Sequence, residues 1–199
     1  MFRLDMILGI RGAKGSPAPR RTTWSRAVML FVASVVLTAS APQRELEKDT
    51  SAILQASYIY NIAKLVEWKD PAMSSGTFII GVIGGANLYQ EMIKKYSTKS
   101  IGKQPIEVRK LPRSSTVDRC HILFVGQSDI ALMPEIYRNL AGKSTLIITE
   151  YPDALEDGSV ANFVRTDNTL KYEMSVVNAR KHKLEVALTL KQLALRVEE

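Results

Sequence analysis

The sequence contains few of the residues on which most catalytic and metal sites depend. Among 199 residues there is one cysteine, Cys120, and there are two histidines, His121 and His182. A lone thiol forms no internal disulfide, and Cys120 and His121 are neighbours in a strand-like run, where successive side chains point to opposite faces. No second pair completes a tetrahedral metal site. We therefore expect no metal and no disulfide, with Cys120 as a buried apolar residue.

Motifs of the common enzyme classes are also missing. The sequence has no nucleophile elbow, dinucleotide fingerprint or phosphate loop. His182 lies in a turn rich in lysine and arginine and is expected to be solvated. Gly84 and Gly85 follow a strand-like run and precede a helix, where free N–H groups can bind an anion, although a tight turn with close strand-to-helix packing explains them better. We expect no enzyme, no catalytic residue and no cofactor.

A strong basic field is absent once the N-terminal segment is set aside. The chain has a formal charge of +7, but six of its 27 basic residues and one of its 20 acidic residues lie within residues 1–41. The remainder therefore carries a net charge of only +2, with both signs mixed along the chain. Binding to nucleic acid needs a dense lysine and arginine surface that displaces phosphate counterions. Nucleic acid is not an expected partner.

Residues 1–41 have the pattern of a signal peptide. Arg20, Arg21 and Arg26 precede an apolar run that begins at Ala27 and ends in small residues near Ala41. The run of about 13 to 15 residues is shorter than the roughly 20 that span a bilayer. Cleavage is expected near residues 40–41, with Pro42 disfavouring the cut directly before it. The pattern predicts export across the inner membrane of a bacterium, and an uncleaved anchor is the alternative.

The rest of the chain predicts one α/β domain. Residues 42–50 are expected to form a charged linker, and residues 51–199 the domain. A first helix is expected from Thr50 or Ser51 to about Trp68, and a long C-terminal helix over 178–197. Between them the pattern predicts the order β-α-β-β-α-β-β-β, with a hairpin at its end. The predicted fold class is an α/β sandwich with a mixed sheet and helices on both faces.

Both terminal helices carry two apolar stripes. In the first helix one stripe contains Ala52, Ala56, Ile59, Ala63 and Val66, and the second contains Leu54, Tyr58, Ile62 and Leu65. In the C-terminal helix Val186, Leu190, Leu193 and Val197 form a core stripe, opposite Leu184, Leu188 and Leu195. The second stripes either face a partner or lie inside the domain. The candidate partner-binding residues are Leu54, Tyr58, Leu65, Trp68, Leu184, Leu188 and Leu195.

Four segments in this order resemble the YfiR-like family. They are Ile59–Trp68 (IYNIAKLVEW), Arg119–Val125 (RCHILFV), Lys171–Arg180 (KYEMSVVNAR) and Leu188–Ala194 (LTLKQLA). The similarity extends from about Ala52 to Val197. Two departures stand out. Lys69 and Asp70 intervene before Pro71, where the family's Glu-Trp usually continues directly into proline. The paired cysteines of characterised relatives are reduced to Cys120, which argues against redox sensing by a disulfide.

The resemblance implies a small periplasmic regulator of Gram-negative bacteria without catalytic residues. Such proteins restrain an inner-membrane diguanylate cyclase by binding its periplasmic sensor domain, and thereby limit cyclic di-GMP and biofilm formation. The implied partners are therefore a membrane cyclase or sensor protein, and a second copy in a homodimer. The alternatives are a periplasmic small-molecule-binding protein and an accessory subunit of an outer-membrane uptake system.

Overall fold

The computed structural model describes residues 41–114, 116–167 and 169–199, with side chains from Thr50 onward. Contacts within the chain group Gln43–Glu199 into one compact unit. The predicted signal peptide lies outside the described residues except for Ala41. No helix in the described part of the chain is both long enough and apolar enough to span a bilayer.

The unit alternates helices and strands along the chain. The helices are α1 (Ala41–Lys64), α2 (Ala86–Tyr96), α3 (Met133–Leu140), α4 (Val176–Lys181) and α5 (Leu188–Leu193). The strands are β1 (Val66–Trp68), β2 (Phe78–Ile83), β3 (Ser100–Ile101), β4 (Gln104–Lys110), β5 (Ile122–Val125), β6 (Leu146–Thr149), β7 (Ala161–Thr166), β8 (Thr169–Ser175), β9 (Leu184–Val186) and β10 (Val197–Glu198). Short 3₁₀ segments cover Pro71–Met73 and Gln127–Leu132.

Eight strands form one mixed sheet in the order β10-β8-β7-β6-β5-β2-β4-β3. The neighbours from β4 to β7 run parallel, whereas β7 and β8 form the predicted antiparallel hairpin. Alternate residues of β5 enter different cores: Ile122 and Phe124 face α1 and α2, whereas Leu123 and Val125 face α3. This two-sided burial explains why the central strands read as continuous apolar runs. The predicted α/β fold with a mixed sheet and helices on both faces is confirmed.

Helix α1 is longer at its start and shorter at its end than predicted. It begins at Ala41, so the residues of the expected linker are helical in backbone over 42–49. The sequence Gln-Arg-Glu-Leu-Glu-Lys after Pro42 has high helix propensity, and proline is tolerated in a first turn. The first stripe, from Ala52 to Val66, is buried. Helix α1 ends at Lys64 because the next residues enter strand β1.

The prediction of one long C-terminal helix is wrong. Helix α4 ends at Lys181, and Lys183 adopts a left-handed backbone conformation with φ of 55°. Strand β9 follows, and α5 contains only six residues between the extended backbones of Ala187 and Ala194. No glycine or proline occurs over residues 178–197. The helix is therefore broken by distant contacts and not by a local sequence signal.

Those distant contacts are the pairing of β9 with β1. The two strands run antiparallel, with Val66 opposite Val186 and Trp68 opposite Leu184. Two more hydrogen bonds lie just outside the strands. The N–H of Lys69 donates to the carbonyl of Lys183 (3.2 Å), and the N–H of Ala187 donates to the carbonyl of Leu65 (2.9 Å). The pairing joins the exit of α1 to a segment more than 110 residues later in the chain.

The two histidines are structural residues of the interior. His121 is 5% exposed, and its ring stacks on Phe78 with centroids 4.3 Å apart. Its Nδ1 accepts from the N–H of Ile79 (3.1 Å), which places the ring proton on Nε2, within 2.9 Å of the carbonyl of Met73. His182 is fully buried, and its Nδ1–H donates to the carbonyl of Lys143 (3.0 Å). The prediction that His182 is solvated is wrong.

Burial lowers the pKa of both imidazoles below the usual value near 6.5. The neutral ring is therefore favoured in the folded protein, whereas the unfolded chain takes up protons as the pH falls below about 6.5. The free energy of unfolding should decrease between pH 7.5 and 5.5, by at most about 1.4 kcal/mol per pH unit for each histidine. Urea titrations at several pH values measure this slope.

The variants H121Q and H182F separate this effect from other titrating groups. Each removes one imidazole, so each should flatten the slope in this pH range even if it also lowers the absolute free energy of unfolding. A slope equal to that of the wild-type protein in both variants would contradict the assignment.

Candidate partner-binding surface

The structure separates the seven candidate residues into three groups. Leu54, Leu188 and Leu195 are exposed by 41%, 64% and 55%. Tyr58, Leu65 and Trp68 are half-buried and pack against the core. Leu184 is only 4% exposed, so burial removes it from any surface available to a partner. The sequence pattern had placed it opposite the core stripe of a helix that the chain does not form.

One exposed residue was assigned to the wrong side by the sequence pattern. Leu193 was expected on the core stripe, yet it is 64% exposed. Leu190 alone of this short helix is buried. Three large apolar side chains, those of Leu188, Leu193 and Leu195, therefore reach solvent within eight residues. We refer to these three residues as the C-terminal leucine patch.

Tyr172 on β8 joins the C-terminal leucine patch to helix α1. Its ring lies edge-on to that of Tyr58, with centroids 5.8 Å apart. Its hydroxyl donates to the carbonyl of Leu190 (2.6 Å), and its own carbonyl accepts from the N–H of Leu195 (2.8 Å). Burial raises the pKa of Tyr172 to about 12, so this hydroxyl stays a donor at neutral pH. The patch is thus anchored on the sheet face that α1 also covers.

Trp68 is held by contacts within the protein. Its indole N–H donates to the carbonyl of His121 (3.3 Å), and its ring packs edge-on against Phe78 at 5.1 Å between centroids. A satisfied N–H and a T-shaped aromatic contact are typical of a structural tryptophan. The ring is half-buried.

The glycine turn between β2 and α2 is packed tightly. Gly84 and Gly85 both have positive φ, at 69° and 54°. A Cβ on Gly84 would lie 2.5 Å from a carboxylate oxygen of Asp129, and one on Gly85 would lie 2.8 Å from the ring of Phe124. Close packing therefore accounts for both glycines. Anion binding by this turn stays an untested prediction.

Cys120 is buried and forms no disulfide. Burial raises the pKa of its thiol to about 12, which leaves almost no nucleophilic thiolate at neutral pH. Within the ranges that the structure describes, no cluster of three or more metal-binding side chains occurs.

The substitution G85A should destabilise the protein more than the matched substitution G102A. Both glycines are left-handed, but a Cβ on Gly102 meets nothing within 4 Å. G102A should therefore cost only the backbone strain of about 1–2 kcal/mol. G85A adds a clash with a buried ring, and it should cost about 1–3 kcal/mol more. Urea unfolding of both variants measures the difference, and equal losses would show that close packing does not dictate the turn.

Comparison with known proteins assigns the chain to a family. A family model described as YfiR/HmsC-like matches residues 52–195, which is well over half of the chain. A search of curated proteins found no significant match. The matched range begins inside α1 and ends at the last residue of the C-terminal leucine patch. The chain therefore belongs to the YfiR/HmsC-like family.

Proposed function

We propose that this protein is a non-enzymatic periplasmic regulator that restrains an inner-membrane diguanylate cyclase by binding the cyclase's periplasmic sensor domain. Family membership supports the regulatory role and the compartment. The observation that carries the proposal is the C-terminal leucine patch in a chain that belongs to this family. In this account the leucines contact the sensor domain, and the N-terminal segment of residues 1–41 directs the chain to the periplasm.

The exposure of the patch supports a role in binding. Scattered surface leucines are ordinary, but here three that are each more than half exposed lie within eight residues of the chain, and we infer that they serve one partner. Burying such side chains against a partner contributes about 1.5–3 kcal/mol for each leucine that becomes fully covered. Leu54 lies one turn before Tyr58 on α1 and is 41% exposed, so it is a further candidate contact for a partner.

Contacts of neighbouring groups hold the segment that carries the C-terminal leucine patch. Leu190, between Leu188 and Leu193, is 3% exposed and belongs to the core. The hydroxyl of Tyr172 holds the carbonyl of the same residue. The leucines are thus presented on an anchored segment, which lowers the entropy lost when a partner binds.

A second copy of the chain is the other proposed occupant of this surface, in a homodimer.

Replacing two of the patch residues should release the cyclase without unfolding the protein. The double variant L188D/L195D changes exposed positions, so each substitution should alter the free energy of unfolding by no more than about 0.5–1 kcal/mol. In the native host, deletion of the gene should raise cyclic di-GMP. The wild-type gene should restore the low level, and L188D/L195D should fail to do so. Cyclic di-GMP is measured in cell extracts by mass spectrometry.

The variant I93D is the matched control. Ile93 is 40% exposed on α2, whose buried face packs over β2 and β4, near the other end of the sheet from β8 and β10. I93D should restore the low cyclic di-GMP level as well as the wild type does. Affinity purification of the tagged full chain from host membranes should recover a diguanylate cyclase with the wild type and I93D, but not with L188D/L195D. Unchanged cyclic di-GMP after gene deletion would overturn the proposal.

A further inference from the structure

An open crevice lies at the carboxyl ends of the parallel strands. Its volume is ≈ 750 Å³, within the range of about 300–1,000 Å³ that is usual for small-molecule sites. The residues that follow β2, β5 and β6 line it, together with residues of α1, β7 and β8. Among them are Gln55, Leu88, Gln127, Glu150, Phe163 and Leu170.

The strand order explains why a crevice forms there. The parallel strands are arranged β4-β2-β5-β6-β7. After β2 the chain returns through α2 on one face of the sheet, whereas after β5 it returns through α3 on the other face. The loops that leave β2 and β5 therefore diverge. In open α/β sheets this divergence creates the place where ligands bind.

Two charged side chains line the crevice, those of Glu150 and Arg165, and the hydrogen bonds of Glu150 define its position. One carboxylate oxygen accepts from the side-chain amide of Gln55 (2.6 Å), and the other accepts from the backbone N–H of Gln127 (3.3 Å). Both donors are neutral. Gln55 is itself 6% exposed, so the carboxylate is oriented by a buried group. The two hydrogen bonds fix Glu150 at the wall of the crevice without neutralising its charge.

Two buried carboxylates elsewhere in the described chain are each paired with an arginine. Asp129 is 3% exposed and forms an ion pair with Arg113 (2.5 Å). Glu173 is 8% exposed and forms an ion pair with Arg196 (3.0 Å). Burial of a carboxylate is costly unless a cation compensates it. Among the described residues, Glu150 instead accepts hydrogen bonds from the neutral groups of Gln55 and Gln127, and it lines the crevice together with Arg165.

Gly126 lets the loops that follow β2 and β5 approach each other beside this carboxylate. A Cβ on Gly126 would lie 3.0 Å from the backbone nitrogen of Gly85 and 3.5 Å from Oε1 of Glu150. A side chain at position 126 would therefore press on the backbone of the loop after β2, whereas its distance from the carboxylate is that of an ordinary van der Waals contact. Leu88, Phe163 and Leu170 belong to the apolar core and also line the crevice.

We propose that the crevice binds a small organic cation, with an ammonium group on Glu150 and a hydrocarbon or aromatic body against Leu88, Phe163 and Leu170. A charge-assisted hydrogen bond to an oriented carboxylate supplies specificity, and the apolar wall supplies affinity. The proposal rests on the crevice alone and does not depend on the membrane partner proposed above.

Three probes with the same body and different head groups test the proposal on the wild-type full chain. Isothermal titration should show phenethylamine binding with Kd below about 1 mM. The neutral 2-phenylethanol should bind at least about tenfold more weakly, because it lacks the charge. The anion 3-phenylpropionate should bind most weakly of the three. Equal binding of amine and alcohol, stronger binding of the anion, or no binding of the amine would overturn the proposal.

The variant E150Q then locates the site. Its amide oxygen can still accept from Gln55, but the negative charge is gone, so the advantage of phenethylamine over 2-phenylethanol should disappear. E107Q is the matched control, since Glu107 is an exposed residue of β4 that pairs with Arg109 (2.7 Å); it should retain the wild-type preference. Wild-type preference in E150Q would overturn the assignment to Glu150. If E150Q does not fold, the contrast between amine and alcohol in the wild-type protein still decides the proposal.

Discussion

The short antiparallel pairing of β1 with β9 determines how the C-terminal part of this protein is presented. Only three residues on each side take part, yet the pairing fixes the end of α1 and forces an extended backbone on a segment of high helix propensity. Buried His182, just before β9, holds the carbonyl of Lys143 and secures the end of α4. After β9 only six helical residues remain, and the chain then extends again. Leu188, Leu193 and Leu195 point outward because a strand and a short helix replace one continuous C-terminal helix.

The sequence was a good guide wherever the structure depends on local periodicity. The central strands, the β7–β8 hairpin and the buried stripe of α1 from Ala52 to Val66 each follow from apolar patterns that the chain carries by itself. The same reasoning failed for residues 178–197, because apolar residues three and four apart predict a helix whether or not a distant strand competes for the backbone. His182 was misjudged for a related reason: its basic neighbours suggested solvent, but its partner is Lys143, which lies 39 residues away.

The candidate surface was predictable only in part. Leu188 and Leu195, two of the candidate partner-binding residues, are exposed, whereas the candidate Leu184 is buried and Leu193, expected on the core stripe, is exposed. The crevice could not be anticipated from any motif. Gln55, Gln127 and Glu150 are far apart in the sequence, and no spacing rule connects them. They meet because the order of the parallel strands brings the ends of β5 and β6 beside α1.

The central claim is that the C-terminal leucine patch is the surface that meets the membrane cyclase, and hydrogen–deuterium exchange tests it most directly. Exchange is followed in the purified full chain, alone and with the periplasmic domain of the host's diguanylate cyclase. The account predicts slower exchange over residues 188–195 and in the adjacent turn of α1 when the domain is present, and unchanged exchange in α2. Protection confined to other segments, with residues 188–195 unaffected in a demonstrated complex, would contradict it.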